Sequence, residues 1–192
     1  MRKKVMRIIQ MNIGSEEVMK SFGYLSDDEL KEMKRVIRSL GQNSVCVNIG
    51  AGSGTSGLAF IECDNVAQLY TIDLYKDARP EGALGNELTA FKDAGHYGDP
   101  RYHQIHGDST EAGKQWKHGE VNMVFIDGDH SYEHCKSDIE TWLPRIAYGG
   151  VMALHDYKKD VWPGVERAVE EILVPRFLQI SQTSTFIAFR IT

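Results

Sequence analysis

Beyond Gly41 the chain alternates short apolar runs, each bounded by Gly or Asp, with stretches whose apolar residues recur every three to four positions. The runs are Val45–Ile49, Gln68–Ile72, Tyr102–His106, Val121–Ile126 and Val151–Leu154. Runs so short and so apolar suit parallel strands buried on both faces. Between them the clearest helical pattern runs from Tyr132 to Ile146, with Cys135, Ile139, Trp142, Leu143 and Ile146 on one face. Another begins at Pro163, a favourable first helical residue, and carries Val165, Ala168, Val169 and Ile172. This alternation predicts an α/β fold with a doubly wound, mostly parallel sheet. The tail departs from it. Phe177–Ser181 and Thr185–Ile191 read as two strands around a turn at Gln182–Ser184, an antiparallel hairpin that brings the sheet to seven strands.

The first 40 residues read as helical. Ser26-Asp27-Asp28-Glu29 has the form of a capping box, Leu30, Met33, Ile37 and Leu40 follow at helical spacing, and Gly41 supplies a stop. The expected organisation is an N-terminal helical segment over 1–40 packed on a domain of 41–192, one domain in all. With 192 residues, 42% hydrophobic and 26% charged, the chain can bury an ordinary globular core. A net charge of −5 supplies no basic field, so a nucleic-acid partner is not expected. The basic start Met1–Arg7 is followed by too few apolar residues for a secretory signal, and no apolar run approaches the ~20 residues of a membrane span. The expectation is a cytoplasmic protein with no membrane partner, in which Cys46, Cys63 and Cys135 are reduced and buried. Homo-oligomer formation is left open. Residues 75–100 are expected to include a mobile segment beside the site.

The strongest chemical signal is Val45-Cys-Val-Asn48-Ile-Gly50-Ala-Gly52-Ser-Gly54-Thr-Ser56-Gly57, a buried strand, a glycine-rich turn and the start of a helix. Glycines there let the backbone turn sharply and approach a ligand with no Cβ in the way. Asp73 closes the next run about 20 residues on, where a carboxylate accepts hydrogen bonds from a ribose. Two cofactor classes use this arrangement. From Gly52 the loop satisfies the dinucleotide fingerprint. From Asn48 it resembles the first motif of class I S-adenosylmethionine (SAM)-dependent methyltransferases.

Three further features favour that second family: the closing hairpin, Gly107-Asp108-Ser109 after the third run, and Val124-Phe-Ile-Asp127-Gly-Asp-His130 at the end of the fourth. The resemblance covers about residues 41–192 and implies a Rossmann-like fold. It also implies that Asn48, Gly50, Gly52, Gly54 and Ser56 lie at the methionine portion of SAM. Asp73 would hold the ribose, Asp108 and Ser109 would lie near the adenine, and Asp127 would border the cofactor. Asn48 stands where the family carries an acid, a departure that bears on any contact to the cofactor's amino group.

A second cluster follows from topology. Strands of an open parallel sheet point their C-terminal ends at one crevice. The fourth run delivers Asp127, Asp129 and His130 there, and the fifth delivers His155 and Asp156. Carboxylates and imidazoles in one place suit a divalent cation. The set resembles the metal-dependent small-molecule O-methyltransferases, which implies Asp127 and Asp156 as ligands of Mg2+ or another divalent metal, with His155 as a third. His130 falls where the catechol branch places a lysine base, which implies a general base. His130 equally suits a helix cap, and Asp127 a turn cap. The expected activity is O-methylation of a small hydroxylated acceptor. An NAD-dependent oxidoreductase or epimerase, or a non-catalytic SAM-binding protein, are the alternatives.

Overall fold

The computed structural model describes residues 25–75 and 82–192; the helical reading of residues 1–24 lies outside them. Helix α1 (Asp27–Arg38) precedes β1 (Ser44–Ile49), α2 (Thr55–Ile61), β2 (Val66–Asp73), α3 (Gly82–Asp93), β3 (Tyr102–His106), α4 (Ser109–Lys114) and β4 (Val121–Ile126). Then come α5 (Tyr132–Trp142), a 3-10 turn (Leu143–Arg145), β5 (Ile146–Leu154), α6 (Pro163–Ile172), β6 (Leu178–Thr183) and β7 (Phe186–Arg190). The seven strands form one sheet in the order β3-β2-β1-β4-β5-β7-β6. The first five are parallel, and β7 runs antiparallel to both β5 and β6. This is the expected Rossmann-like doubly wound sheet with its closing hairpin. Strand β1 pairs with β2 on one side and β4 on the other, so the chain reverses direction across the sheet there and opens a crevice at the C-terminal ends.

Successive strand residues point to opposite faces, so each central strand feeds two cores. Cys46, Leu69, Met123 and Phe125 pack with Met33, Ile37, Leu58 and Phe91 of α1, α2 and α3. Val47, Val124, Met152 and Leu154 pack on the other face with Ile139, Trp142, Val165 and Val169 of α5 and α6. The three cysteines are free and fully buried in these layers. No helix among the described residues is long and apolar enough to cross a membrane.

Four local readings differ from the sequence pattern. Helix α1 begins as predicted, with Glu29 N–H donating to Ser26 Oγ and Ser26 N–H to Glu29 Oε2. It ends at Arg38, before Gly41, because Ser39 Oγ–H donates back to Val36 O and Asn65 Nδ2 takes the Ile37 carbonyl. The helix predicted to Ile146 stops at Trp142, since Pro144 lacks an N–H and tightens the chain into a 3-10 turn. Ile146 instead opens β5. The tail turn is shorter than predicted: β6 runs through Thr183, and only Ser184 (φ 50°) and Thr185 separate it from β7. Within 75–100, residues 76–81 lie outside the description. Gly82–Asp93 forms α3, with Glu87, Ala90 and Phe91 fully buried. Two glycines near its start, Gly82 and Gly85, hid that helix from the sequence pattern.

Candidate active site

Strand β1 ends at Ile49 and the chain turns through Gly50, Gly52 and Gly54, all at positive φ (87°, 50° and 91°). At Gly50 the requirement for glycine is steric as well. A Cβ there would lie 2.1 Å from the carbonyl oxygen of Asp127, so the turn presses directly on the end of β4. Asp73 holds the turn from the end of β2: Oδ2 accepts from Ala51 N–H (2.8 Å) and Gly52 N–H (3.4 Å), while Oδ1 accepts from Tyr75 N–H (2.6 Å).

Two cavities flank the turn. The first, about 340 Å3, is lined by Gly50, Gly52, Ser53, Ser56, Asp127, His130, His155, Asp156 and the Trp162 indole, with Leu25 and Lys159 at its border. The second, about 310 Å3, is lined by Ile49, Ile72, Asp73, Leu74, Asp108, Ser109 and Asp138. They share Gly50, Gly52 and Asp127. Apart from Asn48 and Gly54, every residue the sequence reading assigned to cofactor or metal lines one or both. Gly54 caps α2 in the left-handed conformation against α3, whose Glu87 Cα a Cβ there would approach to 3.1 Å. Asn48 is fully buried beneath the turn on the α1–α3 face, with neither amide atom hydrogen-bonded among the described residues. Asp108 is the N-cap of α4: Oδ1 accepts from Glu111 N–H (3.0 Å) and Thr110 Oγ–H (2.5 Å).

The ends of β4 and β5 bring the acids and imidazoles together as topology required. His130 Nε2 sits 2.8 Å from Asp156 Oδ2 and 3.7 Å from Asp127 Oδ1, and its ring stacks on Trp162 at 4.5 Å between centroids. His155 Nδ1 lies 3.3 Å from Asp127 Oδ1. Its Nε2 faces Thr185 Oγ1 (3.1 Å) and Glu29 Oε1 (3.5 Å). Asp156 occupies a left-handed backbone conformation (φ 57°), and its Oδ1 accepts from Lys159 Nζ at 2.7 Å. One ligand atom each from Asp127, His130 and Asp156 falls within 4.8 Å of the others, a set that has His130 where the sequence reading had His155.

Electrostatics sort these groups. Burial opposes charge on His155, but Asp127 and Glu29 overcome it and lift its pKa to about 10. Burial would likewise raise the Glu29 carboxyl, yet hydrogen bonds from His155, Ser26 and Thr185 hold it well below the usual carboxylate range. Asp127, against its own desolvation, is held down by His130 and His155. Asp127 in turn raises His130. The site is thus a chain of alternating charge from α1 through β5 to β4.

Sequence reasoning missed Glu29 and Thr185, which sit far from the motifs, and Asp138. The signal for Asp138 was available: it is a charge on the inward face of α5, beside Cys135, Ile139 and Trp142. It is 3% exposed, and burial pushes its carboxyl up to about 6.

Residues 47–157 match a family described as a methyltransferase domain. The chain belongs to that family of SAM-dependent methyltransferases. The match decides between the two cofactor classes that the glycine turn alone admits. Among solved structures, an O-methyltransferase from Bacillus cereus in complex with S-adenosylhomocysteine (SAH) has a TM-score of 0.68 at 17% identity, over 93% of this chain and 90% of that one. CalS11, a TDP-rhamnose 3'-O-methyltransferase, has a TM-score of 0.66 at 16% identity, over 93% and 87%. An rRNA methylase from Streptococcus thermophilus has a TM-score of 0.62 at 14% identity, over 88% and 98%. These likenesses extend to the fold. A curated relative, the uncharacterized protein y4gI of Sinorhizobium fredii, is 29% identical over 77 residues, 33% of this methyltransferase chain. The chain spans 8% of that relative's length.

Proposed function

We propose that the chain transfers the methyl group of SAM to a hydroxyl of a small acceptor, with His130 as general base. One observation carries this: the acid–imidazole cluster and the glycine turn line the same cavity. An acceptor oxygen seated there meets the sulfonium methyl in line, and positioning of this kind supplies several kcal/mol of the barrier. As the oxygen–carbon bond forms, the carbon–sulfur bond breaks and SAH departs. His130 takes the hydroxyl proton, and the Asp156 and Asp127 carboxylates that face its Nε2 stabilise the imidazolium. Trp162, stacked on the ring, fixes its plane. The size of the cavity and the acidic net charge favour a small acceptor over a nucleic acid.

Asp127 and Asp156, with His130 beside them, form a donor set that fits a divalent cation. Such an ion, when bound, would lower the acceptor's pKa and orient its oxygen. His155, its pKa lifted to about 10, faces Asp127 through Nδ1 and Glu29 through Nε2. It serves as the charge partner that keeps Asp127 ionised. A metal-free variant of the mechanism is favoured by one contact, the Lys159 ammonium on Asp156, which already places a cation in the cluster.

The test is SAH release across a panel of catechols and nucleotide sugars, with and without EDTA, for the parent chain and for His130→Ala. The expected loss in His130→Ala is ~100-fold or more in kcat, with SAH affinity unchanged. Loss of turnover in EDTA supports the metal-assisted form, and survival in EDTA supports the Lys159 form. Turnover that survives both EDTA and His130→Ala refutes the base. SAH binding with no turnover on any acceptor favours a binding role.

A further inference from the structure

The Asp73 carboxylate is oriented by contacts that no motif contains. Its Oδ1 accepts from Tyr75 N–H at 2.6 Å, and Tyr75 takes a left-handed backbone (φ 50°) to deliver that N–H. The conformation is unfavourable for any residue with a Cβ, and it persists only where the surroundings hold it. Here the side chain is held from two elements. Tyr75 Oη–H donates to Glu87 Oε2 of α3 at 2.8 Å, and the ring meets His106 edge-on at 4.8 Å between centroids. His106 Nε2–H, at the end of β3, donates to the Leu74 carbonyl at 2.9 Å. The segment from Asp73 to Tyr75 is thus pinned to both α3 and β3.

Glu87 is built as a fixed anchor. It is fully buried, and its backbone lies against the glycine turn, where a Cβ at Gly54 would come 3.1 Å from the Glu87 Cα. Gln104 Nε2–H donates to the same Oε2 at 2.9 Å, and Oε1 has no direct partner among the described residues. Burial pushes the carboxyl's pKa up, against the hydroxyls and the amide that face it. A carboxyl protonated on Oε1 still accepts at Oε2, so the anchor does not depend on its charge. We propose that Tyr75, anchored on Glu87, is the positioning residue that holds the Asp73 carboxylate for the ribose hydroxyls of the cofactor. Asp73 Oδ2 is held by Ala51 N–H and Oδ1 by Tyr75 N–H, which fixes the plane of the carboxylate. A vicinal diol binds more tightly to a carboxylate whose plane is set beforehand, since no ordering is then left to the moment of binding. Anchoring Tyr75 also accounts for an acid kept wholly out of water on α3.

The inference rests on SAM as the cofactor, with its ribose at Asp73. Calorimetric titration of the full chain at pH 7 with SAH and with its 2′,3′-dideoxy analogue tests it without the acceptor. The parent is expected to bind SAH at least about tenfold more tightly than the analogue, which has no diol to offer. Tyr75→Phe is expected to bring that ratio to about threefold or less by weakening SAH alone. Glu87→Met, which removes the acceptor, is expected to match it, and Glu87→Gln, whose amide oxygen still accepts from Tyr75, to keep the parent ratio. Should the Met variant fail to fold, Tyr75→Phe, which deletes one oxygen, reads the same ratio. Asp73→Asn, with one acceptor oxygen, is expected to lower the ratio and so reports the placement of the ribose. If Asp73→Asn lowers the ratio but Tyr75→Phe leaves it at the parent value, or weakens both ligands equally, the positioning role is refuted while the placement stands. A parent-like ratio in Glu87→Met, or a low one in Glu87→Gln, removes Glu87 as the anchor. If SAH binds and Asp73→Asn leaves the ratio unchanged, the ribose placement fails and the inference with it. If SAH does not bind, the cofactor reading itself fails.

Discussion

Glu29→Gln is the substitution with the most to reveal about how this molecule is held together. The Glu29 carboxylate is 3% exposed and accepts from Ser26 N–H and Oγ–H (2.9 and 2.8 Å) on one oxygen, and from Thr185 N–H and Oγ–H (2.9 and 2.7 Å) on the other. The second oxygen also faces the buried His155. Glutamine preserves shape and one acceptor. It turns an amide N–H2 toward a donor at the other end and withdraws an anion from the imidazolium. Breaking a buried pair by removing one partner costs about 3–5 kcal/mol, and the retained acceptor puts this case at about 3. For a chain of this length that corresponds to a fall of roughly 6–12 °C in Tm.

The pH dependence identifies the cause. His155 has its folded pKa raised to about 10, so its contribution is fully present below its unfolded pKa near 6.5 and is lost as pH rises through about 10. Glu29 is shifted down, so its contribution is present above its unfolded pKa and is lost in acid. The difference between parent and variant is therefore expected to be at its full value between about pH 4.5 and 6.5, and at pH 10.5 to have fallen to half or less. Urea unfolding in EDTA at pH 7 and pH 10.5 measures it. A cost below about 1 kcal/mol at pH 7, or one undiminished at pH 10.5, refutes the argument that the ion pair carries the energy.

Other outcomes follow from single contacts. Gly50→Ala puts a methyl group 2.1 Å from the Asp127 carbonyl at a φ of 87°, so a loss of more than tenfold in SAH affinity is expected by calorimetry. Parent-like binding would show that the turn can move off β4. Asp138 has its folded pKa raised by burial to about 6, so its stabilising contribution is present below its unfolded value near 3.8 and is lost as pH rises through 6. Asp138→Asn escapes that loss. It is expected to be more stable than the parent at pH 8, by at most about 3 kcal/mol, and equal to it at pH 4 in thermal melts. Finally, burial pushes the thiols of Cys46, Cys63 and Cys135 up, so none is expected to react with a disulfide reagent at pH 8 until urea unfolds the chain. A thiol that reacts rapidly in the native state contradicts their burial.

The sheet was legible because its strands are buried on both sides, which writes them as uninterrupted apolar runs such as Val121–Ile126. Ends were less legible. Helix α1 stops where Asn65, 27 residues beyond Arg38, reaches back to its Ile37 carbonyl, and no local pattern contains that contact. Helix α3 escaped because it is fixed by Glu87 against Gly54 of the turn and Phe91 against Gly57 of α2, while its own sequence is a poor helix former. At the site, motif residues on strand ends were readable because topology alone sends strand ends to one crevice. Glu29 was visible only as half of a capping box. Its second role depends on a hairpin 156 residues away, whose turn delivers Thr185 to the same oxygen.

That arrangement has a consequence for anyone wishing to transplant this acid–imidazole cluster. The segment that matches the family runs from 47 to 157, yet the groups that surround His155 Nε2 come from residues 29 and 185, one on each side of it. A chimera cut at the family borders would carry the glycine turn intact and leave a charged ring facing a foreign surface. Recombination partners for this chain are therefore proteins that exchange α1 and the closing hairpin as a pair.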